Sequence, residues 1–156
     1  MAWEFHVLVV ANVTATSDEL LTALKEREKQ GACRFTLLMP RSGAGAAERL
    51  EEALEAMRAA GLGKVDGRVG DPDPVVAAME TWDPMAFDEI VVSTLPTGVS
   101  RWLGLDLPRR LEKLTAVPVR HVVSHPPAAA PPTGPPPEHP ERYGVLSPLA
   151  AVFRPR

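Results

Sequence analysis

Two short segments rich in hydroxyl and amide side chains are the best candidates for chemistry in this sequence. Residues 12–16 (Asn-Val-Thr-Ala-Thr) follow an apolar run, and residues 93–98 (Ser-Thr-Leu-Pro-Thr-Gly) follow another. Each segment precedes a predicted helix, whose first N–H groups lack partners inside the helix and attract anions. The pattern therefore indicates either a polar ligand site or ordinary helix caps and turns.

Histidine, cysteine and aspartate do not form a pattern that is typical of a metal or catalytic centre. The histidines are spread along the chain without a metal-binding spacing, at His6, His121, His125 and His139. The aspartates that stand directly before prolines are typical of turns and helix starts: Asp71, Asp73 and Asp83. Cys33 is the single cysteine, so no internal disulfide forms. We predict no catalytic residue and no metal ligand.

A glycine-rich loop at residues 41–48 (Arg-Ser-Gly-Ala-Gly-Ala-Ala-Glu) resembles part of a dinucleotide-binding fingerprint. Glu48 stands where that fingerprint needs a third small residue, and the loop does not follow the first strand. We therefore interpret it as a flexible loop that leads into a helix.

A basic cluster and a tryptophan each have two interpretations. The basic cluster lies near Asp106 and consists of Arg101, Arg109 and Arg110. We interpret it as a solvated helix face or, alternatively, as a contact for an anion or a partner. Trp102 either packs a helix onto the sheet or faces a ligand.

Strands and helices alternate along the first 125 residues. Short apolar runs, typical of strands buried on both faces, predict strands at 5–11, 34–39, 64–69, 88–93 and 117–123. The first helix is predicted to begin at a capping box of Thr16 and Glu19, and the second to cover residues 46–60. The third is predicted to begin at Asp73, with Pro74 in its first turn. The fourth is predicted to follow Gly98 and to restart near Pro108. This alternation indicates an α/β fold with an open, doubly wound parallel sheet of Rossmann-like type. In such sheets ligands bind at the carboxyl ends of the strands, where the winding reverses, and both polar segments lie there.

Composition excludes several classes of function. A formal net charge of −3 leaves no basic surplus for nucleic acid. No apolar run approaches the roughly 20 residues that span a bilayer, and the first residues do not resemble a signal peptide. We therefore expect a cytoplasmic protein with neither a nucleic-acid nor a membrane partner.

The chain divides into a domain at 1–125, a proline-rich linker at 126–140 and an apolar segment at 141–156. The linker contains eight prolines and no helix or strand pattern, which is typical of a polyproline-type spacer. The apolar segment is predicted to dock on its own domain or on a dimer partner, or to be disordered. Alternatively, the tail recruits a protein that recognises proline-rich or extended peptides.

The pattern of the whole domain resembles the universal stress protein family. The resemblance is carried by residues 7–12 (Val-Leu-Val-Val-Ala-Asn), 70–72 (Gly-Asp-Pro) with Val75 and Val76 after them, 87–92 (Phe-Asp-Glu-Ile-Val-Val) and 117–119 (Val-Pro-Val). It covers residues 5–124 and depends on the order and spacing of these segments. It implies a five-stranded sheet in the order 3-2-1-4-5, similar to the adenine nucleotide alpha hydrolases, and often a homodimer; some members bind ATP.

The resemblance is weakest where a phosphate would bind. Counting back from Pro118, the glycines of the ATP-binding pattern fall on Val92, Leu95 and Leu105, and its serine or threonine falls on Asp106. Side chains at these positions obstruct the approach of backbone N–H groups to a phosphate, and a carboxylate there repels it. Asn12 stands where the family usually has aspartate, which is a smaller departure.

From this resemblance and the strand-end rule we expect a ligand site drawn from Asn12, Thr14, Met39, Gly70, Ser93, Thr94, Gly98, Ser100, Arg101 and Asp106. A homodimer is expected to form through the exposed fifth strand, at Val117, Val119, His121 and Val123. The favoured function is a non-catalytic binding or regulatory module that is not a tight ATP binder. The alternatives are a switch that binds ATP or another adenine nucleotide with slow or no hydrolysis, and an interaction protein that acts through its tail.

Overall fold

The computed structural model describes residues 3–96, 102 and 106–125. The predicted linker at 126–140 and the apolar segment at 141–156 lie outside the described residues, so the predicted role of the tail in partner binding stays a prediction.

The strands form one five-stranded parallel sheet in the order β3-β2-β1-β4-β5. They are β1 (Phe5–Val10), β2 (Cys33–Pro40), β3 (Val65–Gly70), β4 (Glu89–Thr94) and β5 (Val119–Val123). Val9 of β1 lies between Leu37 of β2 and Val91 of β4, so β1 is the central strand. The chain winds outward from β1 through β2 to β3 in one direction and through β4 to β5 in the other. The predicted fold and strand order are confirmed, and the winding reverses between β1 and β4.

Four described helices cover the two faces of the sheet: α1 (Asp18–Lys29), α2 (Ala46–Ala59), α3 (Pro74–Thr81) and α4 (Leu107–Thr115). On one face, Leu20 of α1 and Met57 of α2 are fully buried and belong to one apolar cluster with Phe35. On the other face, α3 and α4 contribute to a second cluster, which includes Leu8 of β1 and Leu111 of α4. The sheet is therefore buried on both sides, as the continuous apolar runs of its central strands predict.

The start of α1 differs from the predicted capping box. Ser17, not Thr16, is the N-cap, and its Oγ accepts a hydrogen bond from the backbone N–H of Leu20 at 3.1 Å. The Glu19 carboxylate instead accepts the backbone N–H of His125 at 3.2 Å and lies 2.9 Å from His125 Nδ1. This contact lowers the pKa of Glu19. It also ties the end of the described domain to the first turn of α1.

The other helix starts follow local signals. Asp73 caps α3 through hydrogen bonds to the N–H groups of Val75 and Val76, and Pro74 occupies the first turn. The last described helix begins at Leu107 with Pro108 in its first turn, where a restart is predicted, and most of the segment between Gly98 and Leu107 lies outside the described residues.

Candidate functional site

A cleft opens at the carboxyl ends of the strands, at the point where the winding reverses. Its volume is about 470 Å³. The described residues that line it come from the ends of β2 and β4, from the segments after β1, β2, β3 and β4, and from one tryptophan: Asn12, Val13, Thr14, Pro40, Arg41, Ser42, Pro72, Asp73, Pro74, Ser93, Thr94, Leu95 and Trp102. The cleft lies where ligands bind in open doubly wound sheets.

The segment after β1 is held in place by hydrogen bonds to the end of β2 and within its own turn. The backbone N–H of Ala11 donates to the Leu38 carbonyl at 3.2 Å, and the Asn12 side-chain amide donates to the Pro40 carbonyl at 3.2 Å. The Ser17 N–H donates to the Thr14 carbonyl at 3.0 Å. This wall of the cleft is therefore fixed before any ligand arrives.

A row of three buried hydroxyl groups lies beneath the cleft. Thr14 Oγ1 is 2.7 Å from Ser93 Oγ, which is 2.9 Å from Ser124 Oγ. Thr14 and Ser93 line the cleft, whereas Ser124 lies at the end of β5. The Ser124 N–H also donates to the Thr94 carbonyl at 2.7 Å. The row therefore connects the loop after β1, the end of β4 and the end of β5.

Thr94 connects the cleft to the edge strand. Its hydroxyl donates to the Leu95 carbonyl at 2.9 Å, and the same oxygen lies 2.6 Å from Nε2 of His121 on β5. Partial burial lowers the pKa of His121, which favours the neutral imidazole.

The charges of the cleft are few. Arg41 is exposed and is the single cation among the described lining residues, and its backbone N–H donates to the Gly70 carbonyl at 3.0 Å. Asp73 is the single anion in the same set, and its Oδ1 is already engaged by two N–H groups of α3. Among the described residues the Arg41 guanidinium has no ion-pair partner, so within this part of the chain it can pair with an anionic ligand.

The apolar wall of the cleft includes Leu95 and Trp102. Trp102 is half-buried, packs against the cluster of α3 and α4, and lines the cleft as well. The packing interpretation of this tryptophan agrees with its contacts, and the ligand-facing interpretation stays a prediction.

Four of the predicted ligand residues come together at the cleft: Asn12, Thr14, Ser93 and Thr94. Gly98, Ser100 and Arg101 lie outside the described residues. Arg41, Ser42 and Ser124 were absent from the prediction, although each directly follows or lies near the carboxyl end of a strand. Their position at the carboxyl ends of strands was the sequence signal that could have identified them as residues of the cleft region.

Three predicted ligand residues are placed elsewhere. The Met39 side chain is 1% exposed and belongs to the core beneath α1 and α2, because side chains alternate between the faces of a strand. A Cβ at Gly70 would lie 2.8 Å from the Cβ of Ala77, so close packing of α3 explains this glycine. Asp106 is exposed, and its carboxylate lies 3.5 Å from Arg109 and does not cap α4.

The predicted dimer residues lie at an edge of the described sheet. Val119, His121 and Val123 belong to β5, and Val117 precedes it. Val123 is 43% exposed. Within the described part of the chain, no strand pairs with the outer side of β5.

No group of three histidine, cysteine or acidic side chains that could hold a metal ion occurs among residues 3–96, 102 and 106–125. No helix in this described part is long and apolar enough to cross a membrane.

Comparison with solved structures identifies universal stress proteins. One of them, in complex with cAMP, has a TM-score of 0.60 and 21% sequence identity, covering 80% of this chain and 100% of that one. A universal stress protein from Archaeoglobus fulgidus, in complex with dAMP, has a TM-score of 0.50 and 16% identity, covering 78% and 99%. A further structure from the same organism has a TM-score of 0.50 and 15% identity, covering 76% and 93%. No protein-family model matches the chain, and no curated protein matches it significantly.

Proposed function

We propose that this chain, which has the universal stress protein fold, is a regulatory module that binds an adenosine mononucleotide without hydrolysing it. The observation that carries the proposal is a cleft at the winding reversal that combines one available cation with buried hydroxyl groups and an aromatic side chain.

The size and lining of the cleft suit a nucleoside with one phosphate. A volume of about 470 Å³ lies within the range of roughly 300–1,000 Å³ that is usual for small-molecule sites. Trp102 offers an aromatic surface for a base, and stacking of this kind is favourable for every base. Asn12 and Thr14 offer polar groups for the sugar or the base.

The charge of the cleft favours a monophosphate over a triphosphate. Arg41 is the single cation among the described residues that line the cleft, and a triphosphate carries more negative charge than this one guanidinium can pair. Leu95 and the prolines on either side of Asp73 offer no side-chain donors to further phosphate groups. The carboxylate of Asp73, which also lines the cleft, adds repulsion toward each further phosphate group.

The ligands of the similar structures agree with this class. The two universal stress proteins in complexes hold cAMP and dAMP, and each of these compounds carries a single phosphate. Because these structures share only 21% and 16% sequence identity with this chain, they support the proposal through their similar fold alone.

Titration calorimetry of the full chain with AMP, cAMP and ATP, each with and without Mg²⁺, tests the proposed function. We expect AMP or cAMP to bind at least about tenfold more tightly than ATP, which corresponds to about 1.4 kcal/mol. We also expect no release of phosphate from AMP or ATP, and no conversion of cAMP to AMP, over hours. Tighter binding of ATP, its hydrolysis, or the absence of heat with every nucleotide would contradict the proposal.

We further propose that two copies of the chain associate through β5. An edge strand with available backbone N–H and C=O groups is a template for pairing with another strand, and identical edges pair symmetrically. A lysine at such an edge discourages pairing. We expect light scattering to give twice the chain mass for the wild type and the mass of one chain for Val123→Lys.

Val76→Lys is the matched control for this prediction. Val76 is 40% exposed on α3, a helix that packs against β2, β3 and α4, so the same substitution adds the same charge away from β5. A wild type that scatters as a single chain, or a control that dissociates as readily as Val123→Lys, would exclude this interface.

A further inference from the structure

The three hydroxyl groups beneath the cleft form hydrogen bonds whose direction can differ, because each hydroxyl group carries one hydrogen and can donate it to one neighbour only. The row has three members, Thr14, Ser93 and Ser124, and two contacts of 2.7 and 2.9 Å. Each contact uses one hydrogen. The third hydrogen therefore lies on Thr14 or on Ser124 when the bonds run head to tail, or on Ser93 when both ends of the row donate to it.

The two ends of the row have different surroundings. Ser124 is 0% exposed, and its Oγ has no other hydrogen-bond partner among the described residues. Thr14 is 1% exposed but lines the cleft. If the row pointed toward Ser124, its last hydrogen would be buried without an acceptor in this part of the chain, which is unfavourable. If the row points toward Thr14, the last hydrogen reaches the cleft, where water or a ligand accepts it. If Thr14 and Ser124 both donated to Ser93, the hydrogen of Ser93 would be left over, and Ser93 also lines the cleft. The head-to-tail row is favoured over this arrangement because hydrogen bonds in a chain strengthen one another.

We propose that the row runs from Ser124 through Ser93 to Thr14, and that the Thr14 hydroxyl is a fixed hydrogen-bond donor to the ligand. Thr14 is then a specificity residue: it favours a ligand that presents an acceptor, such as a phosphate oxygen or an unprotonated ring nitrogen, over one that presents an amino group at this point. The role of Thr14 in ligand choice rests on the proposed function, whereas the direction of the row does not.

The direction can be measured without a ligand by neutron diffraction from crystals of the deuterated full chain. We expect the deuterium of Ser124 on the line to Ser93 Oγ, that of Ser93 on the line to Thr14 Oγ1, and that of Thr14 pointing into the cleft. Either a Ser124 deuterium directed away from Ser93 or a Thr14 deuterium on the line to Ser93 Oγ would overturn the proposal.

Calorimetry with AMP then tests the effect on binding. Thr14→Val keeps a similar shape without the hydroxyl, and we expect it to weaken AMP binding by about tenfold, the usual effect of losing a hydrogen bond to a charged group. Thr14→Ser keeps the donor and is expected to stay within about threefold of the wild type. Thermal unfolding of each variant verifies that it is folded at the temperature of the titration.

The outcomes separate this proposal from the proposed function. If the wild type binds no AMP but the deuterium of Thr14 points into the cleft, the proposed function fails and the direction of the row stands. If the wild type binds AMP and Thr14→Val binds it equally well, Thr14 does not contribute to ligand choice.

Discussion

Replacing Arg41 by glutamine is expected to weaken the binding of AMP by roughly 10- to 100-fold. Arg41 is the single cation among the described residues that line the cleft, so no neighbour in this set can take over its role. A hydrogen bond to a charged group contributes about 1.5–3 kcal/mol, and each 1.4 kcal/mol or so corresponds to a factor of ten in affinity. Because Arg41 is exposed and has no ion pair among the described residues, its loss should leave the free energy of unfolding nearly unchanged.

Arg68→Gln is the matched control. Arg68 is exposed on β3 and does not line the cleft, so its replacement by glutamine removes the same charge at a distance from the ligand. Titration of both variants with AMP, and with adenosine as the uncharged analogue, separates local pairing from a general effect of net charge. We expect Arg41→Gln to leave adenosine binding within about twofold of the wild type. An equal loss of AMP binding in both variants would show that Arg41 makes no specific contact with the phosphate.

The fold could be predicted from the sequence because its signals are local and mutually consistent. The apolar runs at 5–11 and 88–93 are buried on both faces and pair as neighbouring strands, and Asp73 with Pro74 starts a helix where such residues usually do. The predicted start of α1 was wrong by one residue, because Ser17 rather than Thr16 caps the helix. The predicted role of Glu19 in the capping box was wrong for a reason that is not local. Glu19 binds His125, more than one hundred positions further along the chain, and this contact cannot be read from the helix itself.

The site was only partly predictable because the strand-end rule places loops rather than side chains. It correctly brings Asn12 and Thr14 of one loop to Ser93 and Thr94 of the other. The same rule applies to Arg41, which directly follows β2, but its loop was interpreted from its glycines as flexible. Which residues of the loop face the cleft depends on packing against neighbouring segments.

Met39 shows the consequence of ignoring the alternation of side chains along a strand. It lies one residue before the end of β2, close to the cleft along the chain, yet its side chain points into the core beneath α1 and α2. A single substitution of Met39 can therefore show whether this side chain contributes to ligand binding or to the stability of the fold.

Met39→Ala is expected to lower the free energy of unfolding by about 2–5 kcal/mol, as large-to-small substitutions in a core usually do. The side chain is 1% exposed, so its removal leaves a cavity that the surrounding core can fill only in part. Met39→Leu nearly conserves the volume and should cost less than about 1.5 kcal/mol. Urea unfolding measures both values. Titration with AMP at a temperature where both variants are folded should give affinities within about threefold of the wild type. A stable Met39→Ala variant that has lost AMP binding would place this side chain against the ligand, and would mean that the cleft reaches through β2 into what is described here as core.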